Sequence, residues 1–133
     1  SDEILTAVRF PVWDGRSGFA VHEFARRHGD FAIAGAVAAV QVDADDRVSR
    51  CGVGLLGLGS TPLRGTTAED ALVGQTVSDL GGDAALEIAR STMAAIEDIP
   101  ADLQGSSTYR ARVGATMLAR ALSEALAAAS EKE

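Results

Sequence analysis

Residues Phe31–Val42 form a run dominated by alanine, isoleucine and valine that carries no charge. Its length would suit a helix. Val37, Val40 and Val42 are β-branched, however, and an acidic turn, Asp43-Ala44-Asp45-Asp46, follows, which favours a strand. Val48–Leu58 then returns, so the two runs predict a β-hairpin. Strands apolar on both faces belong inside a sheet covered by helices. This hairpin is therefore the expected centre of the fold.

The flanking segments extend it. Leu5–Phe10 alternates weakly and stops at Pro11, which predicts a short strand, and the glycine-bearing stretch Val12–Gly18 is a loop. Phe19–Ala25 alternates as a further strand. Arg26-Arg27-His28-Gly29-Asp30 is a polar turn into the hairpin. Helices come afterwards. Thr66-Thr67-Ala68-Glu69 has the spacing of a capping box, and Gly74 ends that helix. Asp83 is placed to cap a second helix, in which Leu86, Ala89, Met93 and Ile96 recur at helical spacing before Pro100. A third helix runs from Ser107, its expected N-cap, to about Ala129, with Gly114, Leu118, Ala121, Leu122 and Ala125 as its inner stripe. Lys132 and its flanking glutamates read as a frayed tail. Strands first and helices later make the class α+β. The expected architecture is an antiparallel sheet of three to four strands, covered on one side by about three helices, in a single domain over residues 1–133.

Composition narrows what such a domain can do. Apolar residues make up 47% of the 133, but aromatics only 5%, so the core must pack small side chains closely. The net charge of −7 repels phosphate backbones and anionic membrane surfaces, which argues against nucleic-acid and membrane partners. No apolar run is long enough to span a bilayer. Ser1–Pro11 lacks the apolar stretch of a leader, and Cys51 is the only cysteine, so the expected location is cytoplasmic.

Several patterns look like sites and fail on context. Gly52-Val53-Gly54-Leu55-Leu56-Gly57 is a literal G-x-G-x-x-G, but Ser60-Thr61-Pro62 follows it instead of a helix, so no helix N-terminus meets a pyrophosphate. His22-Glu23 lacks the second histidine of a zinc-protease helix, where Arg26 stands. Asp43, Asp45 and Asp46 lack the glycine and distal glutamate of a calcium loop. No serine has nucleophile-elbow context, and Cys51 reads as core. No catalytic residue and no metal site is expected. The one cluster with binding chemistry is Arg26–Asp30. Two guanidiniums can hold a carboxylate, a phosphate or a ring edge, and Gly29 can turn backbone donors outward. The plain alternative is a solvated turn with an Arg–Asp pair. Tyr109-Arg110 can likewise anchor the last helix to the sheet or contact a partner.

Together these segments resemble the C-terminal domain of the flavoprotein (medium) subunit of molybdenum hydroxylases, of the carbon monoxide dehydrogenase and xanthine dehydrogenase type. Asp2–Pro11 resembles the segment leaving the flavin domain, and Arg26-Arg27-His28-Gly29-Asp30-Phe31-Ala32 resembles the family's Arg-Arg-x-Gly-Asp-Phe-Ala stretch. Thr61-Pro62-Leu63-Arg64 is similar to its Thr-Pro-x-Arg, and Glu69, Leu72 and Gly74 to its Glu-x-x-Leu-x-Gly. Ser106–Arg110 and Arg120-Ala121-Leu122 resemble its final helix. Ala101–Gln104 is a looser version of the Asp-rich turn before that helix, and Gly57-Leu58-Gly59 replaces a more varied stretch.

The resemblance implies a non-catalytic part of an oxidoreductase. Electrons would pass from a molybdenum cofactor through iron–sulfur clusters to flavin adenine dinucleotide (FAD). The implied partners are an N-terminal FAD-binding domain, absent from this sequence, an iron–sulfur subunit and a molybdenum subunit. It also implies that Arg26, Arg27, Gly29 and Asp30 face the flavin, and that the isolated chain holds no cofactor. A different class stays open: a stand-alone domain binding an apolar small molecule, or a cofactor-free cyclase or isomerase. A structural homodimer module is the third.

Overall fold

The structure, a computed structural model, describes residues 2–131. Its sheet contains β1 (Ser17–Phe24), β2 (Ala34–Val42), β3 (Val48–Leu56) and the two-residue β4 (Leu63–Arg64), in that order and antiparallel throughout. Three α-helices follow: α1 (Thr66–Leu72), α2 (Asp83–Ala94) and α3 (Ser107–Ser130), with a short 3₁₀ turn at Val77–Leu80. The class is α+β, as the order of the segments predicts.

The central hairpin forms where expected, with Val37 opposite Gly54 and Ala39 opposite Gly52, and a bulge at Gln41/Val42. Asp43 closes its turn by accepting the amides of Asp45 and Arg47 at 3.0 and 2.9 Å, while Asp46 takes a left-handed backbone at φ 58°. One face of β2, Ala34, Ala36, Ala38, Val40 and Val42, is buried under the helices. α3 lies across β1 and β2, and α2 packs on α3. The alanines allow a close seat. At Gly18 a Cβ would stand 1.9 Å from the carbonyl oxygen of Ala125, so α3 touches the backbone of β1 directly. The inner stripe predicted for α3 is buried as a whole, at Gly114, Leu118, Ala121, Leu122 and Ala125.

Four local expectations are corrected. Leu5–Phe10 joins no strand: the segment is exposed and the fourth strand is β4 instead. Its alternation is real, but β1 stays an edge strand paired only with β2. The capping box at Thr66 does not form, because Gly65 is the N-cap and Glu69 turns to the sheet. Asp83 is the first residue of α2 rather than its cap, which is Gly82. Ser106, not Ser107, caps α3 by accepting the Tyr109 amide, and Ser107 Oγ donates to the Ile99 carbonyl. Lys132 lies outside the described residues.

Candidate functional site

The Arg26–Asp30 turn meets the loop before α3 at one corner of the molecule. Arg26 Nη2 donates to the carbonyls of Leu103 and Gln104 at 3.0 and 3.2 Å. That loop is in turn held by Arg110, whose Nη2 donates to both carboxylate oxygens of Asp102 at 2.8 and 2.7 Å. Arg110 is 5% exposed, and its Nη1 donates to the carbonyls of Ile33 at 2.7 Å and Gly57 at 3.0 Å. One guanidinium thus joins the entrance of β2, the exit of β3 and the 101–105 loop. The Arg110 hydrogen bond first, then the Gln104 amide, hold the Asp102 carboxyl below its ordinary pKa. Of the two readings open for Arg110, an anchor of the last helix or a partner contact, its bonds to the Ile33 and Gly57 carbonyls make it an anchor.

The four residues assigned to a flavin by resemblance are therefore not equivalent. The Arg26 guanidinium is engaged with the neighbouring loop. Arg27 and Asp30 are exposed, and neither side chain makes an ion pair among the described residues. The turn is closed by the Asp30 amide on the Arg27 carbonyl at 3.2 Å, rather than by an Arg–Asp pair. Gly29 takes φ +87°, with open space where a Cβ would stand. Beside the turn, Phe31 is 94% exposed and Leu103 97%. The corner is an apolar-tipped edge with one unengaged guanidinium, and no enclosed site.

A second feature was not read from the sequence. The outer face of the sheet has no layer over it among the described residues. Phe19, Val21 and Val37 point outward, 53%, 63% and 37% exposed, above a floor of Gly52 and Gly54. Trp13, assigned only to a loop, lies on this face. Its ring meets Phe19 edge-on at 5.7 Å and sits under the Arg50 guanidinium at 4.0 Å. Gln41 Nε2 donates to the Asp14 carbonyl and holds the loop there. The signal was present: along β1, Phe19 and Val21 alternate with the smaller Gly18 and Ala20, which puts the large residues on the face away from the helices.

The glycines of β3 serve this face. They stand in a strand and open no helix, so they cradle no phosphate. Nearby, the edge of β3 beyond the short β4 is closed by a side chain. Glu69 Oε1 accepts the Val53 amide at 2.9 Å, and Arg64 Nε reaches both Glu69 oxygens at 3.0 and 2.9 Å. Burial pushes the Glu69 pKa up, but the Arg64 hydrogen bond, the Val53 amide and the Arg64 charge outweigh it, and the net shift is downward. Burial, with the Glu69 charge behind it, pushes the Cys51 thiol up to about 12, so this cysteine is core and no nucleophile. His22 Nε2 lies 2.7 Å from Glu124 Oε2, and no group of three metal-ligating side chains occurs among the described residues. None of their helices is long and apolar enough to cross a membrane.

Residues 19–125 match the family model of the CO dehydrogenase flavoprotein C-terminal domain, and the chain belongs to that family. Over 124 residues it is 39% identical to the 6-hydroxypseudooxynicotine dehydrogenase complex subunit alpha of Paenarthrobacter nicotinovorans, covering 93% of this chain and 40% of that protein. It is 36% identical over 127 residues to the caffeine dehydrogenase subunit beta of Pseudomonas sp. strain CBB1, covering 94% and 41%. The solved carbon monoxide dehydrogenase of Hydrogenophaga pseudoflava, in a form lacking the Mo-pyranopterin moiety of its molybdenum cofactor, contains a chain that matches with a TM-score of 0.78. The identity is 29%, over 89% of this chain and 39% of that one. The chain thus spans about two fifths of the length of these relatives.

Proposed function

We propose that residues 1–133 are a single, non-catalytic domain of a flavoprotein (medium) subunit in a molybdenum hydroxylase, completing the flavin pocket and a subunit interface. The observation that carries this reading is the uncovered sheet face, where Phe19, Val21 and Val37 surround a ring-capped floor of glycine. A face of that kind is a seat for another protein layer. Family membership supports an FAD-binding domain as that layer, within an assembly that also holds an iron–sulfur and a molybdenum subunit. Relatives named as subunits of dehydrogenases support the assembly.

FAD would supply the electron acceptor of such an enzyme. This chain's part is to exclude water and hold the ring's edge. Since Arg26 is engaged with the 103–104 carbonyls, the groups assigned to that edge are the Arg27 guanidinium and the backbone of Gly29 and Asp30. The free Cys51 fits a reducing, cytoplasmic setting.

Trp13 is the only tryptophan, so its emission reports the sheet face alone. Mixed with an FAD-loaded flavin domain of the family, the chain is expected to bind with a blue shift of that emission and to slow loss of the flavin. Isolated, it is expected to retain no FAD. A purified isolated chain carrying flavin near one equivalent would overturn the reading. So would unchanged Trp13 emission beside a flavin domain supplied in excess.

A further inference from the structure

We propose that the groove between α2 and α3 is a docking site for an acidic, amphipathic segment of a partner polypeptide. It lies on the helical side of the sheet, away from the face assigned to the flavin domain, and does not depend on that assignment.

The groove measures about 870 Å³ and is open to solvent along its length. Arg90 from α2 and Arg112 and Arg120 from α3 line it, and no carboxylate does. None of the three guanidiniums makes an ion pair among the described residues. The whole chain carries −7, so a carboxylate-free wall with three unpaired arginines runs against its composition. The nearest acidic residue along α3 from Arg120, Glu124, is held by His22 at 2.7 Å. Three arginines thus line one groove of a chain that is acidic as a whole, which steers an anionic partner to this side.

Between the arginines the groove is apolar. Both methionines of the chain, Met93 and Met117, reach its floor from the core at 5% and 6% exposure, with half-buried Leu86 and Val113 and exposed Phe24 and Tyr109 also lining it. Methionine is flexible and adjusts to an incoming side chain. Of its residues on α3, five (Tyr109, Arg112, Val113, Thr116 and Arg120) recur at helical spacing and form one stripe. The pattern suits an amphipathic helix laid between two helices.

Spacing separates a polypeptide from a small anion. Arg112 and Arg120 are eight residues apart on α3, which is about 12 Å along the axis. One carboxylate cannot bridge that span, whereas successive turns of an acidic helix can. The openness of the groove also fits a segment better than a small molecule, which needs most of its surface enclosed.

The test uses the full chain and a synthetic helical peptide of roughly twenty residues, long enough to hold helix. Glutamates on one face flank a stripe of leucines, and a matched peptide carries lysines for the glutamates. Calorimetric titration is expected to show saturable binding of the acidic peptide only. A tenfold rise in salt shortens the screening length about threefold and should weaken it. The charge-reversal variant Arg90→Glu/Arg112→Glu/Arg120→Glu, checked for fold by circular dichroism, should lose about tenfold in affinity or more. Arg120→Ala alone, at an exposed position that keeps the fold, should lose a smaller part. Absence of binding, equal binding of both peptides, or unchanged affinity in the folded variants overturns the proposal. Displacement of the acidic peptide by stoichiometric citrate also overturns it, because the groove is then a small-anion site.

Discussion

Arg110 Nη2 stands 2.8 and 2.7 Å from the two carboxylate oxygens of Asp102, yet Arg110 is buried and Asp102 is half exposed. The asymmetry decides which partner matters more. Removing the carboxylate leaves a guanidinium that still holds two carbonyls. Removing the guanidinium leaves the Ile33 and Gly57 carbonyls short of a donor in the interior. Arg110→Ala should therefore destabilise the fold by about 3 kcal/mol, whereas Asp102→Asn should cost markedly less. Urea midpoints of the two variants check the order. Equal losses would show that the ion pair, and not the carbonyl contacts, carries the anchor.

The pH dependence follows from the two depressed carboxyls. Glu69 and Asp102 both titrate below their ordinary values of 4.5 and 3.8 in the folded chain. Their contribution is fully present above those ordinary values, because the unfolded chain is then ionised as well. As pH falls below them the unfolded chain takes up protons first, and stability drops until the folded carboxyls protonate in turn. The urea midpoint should thus be level on the neutral side and fall on the acid side of about pH 4. In Glu69→Gln the fall should be shallower, since one of the two linked groups is gone.

Gly18 and Gly52 make a matched pair. A Cβ at Gly18 meets the Ala125 oxygen at 1.9 Å, whereas at Gly52 it meets only the Trp13 ring at 3.8 Å. Gly18→Ala should lower stability by about 3 kcal/mol or more by lifting α3. Gly52→Ala should stay within about 1 kcal/mol of the parent. Thermal melts of both variants measure the contrast directly.

Cys51 should resist alkylation. With its thiol pushed up to about 12, the thiolate fraction near neutral pH is about a thousandfold below that of a free cysteine. Iodoacetamide at mild alkaline pH should leave the native chain unmodified and label it fully in urea, as mass spectrometry would record.

The hairpin was legible from its β-branched residues and the acidic turn between its strands, and the inner stripe of α3 from its helical periodicity. Ala36, Ala38 and Val40 on one side, and Leu118, Ala121 and Leu122 on the other, had only one way to meet. The caps were less legible. Glu69 has the spacing of a capping box, but the open edge of β3 at Val53 competes for it and wins, with Arg64 adding charge to the bond. No local pattern announces a backbone amide that will lack a partner. Trp13 was hidden for a related reason, since its place depends on Arg50 and Phe19 meeting it across strands. Of the turn singled out at Arg26–Asp30, the polar character was visible. The diversion of Arg26 to the loop at Leu103 and Gln104 was not, because it joins segments that are far apart in the chain.

The direct seat of α3 on β1 also bears on how such a domain can change over generations. Where a single methyl at Gly18 already collides with a carbonyl, the helical side of the sheet has no room for novelty. Of the two faces of the sheet, inheritable variation is left to the one that bears Phe19, Val21 and Trp13. A lineage that keeps this scaffold can therefore exchange its neighbours by repainting one surface, without reopening the core.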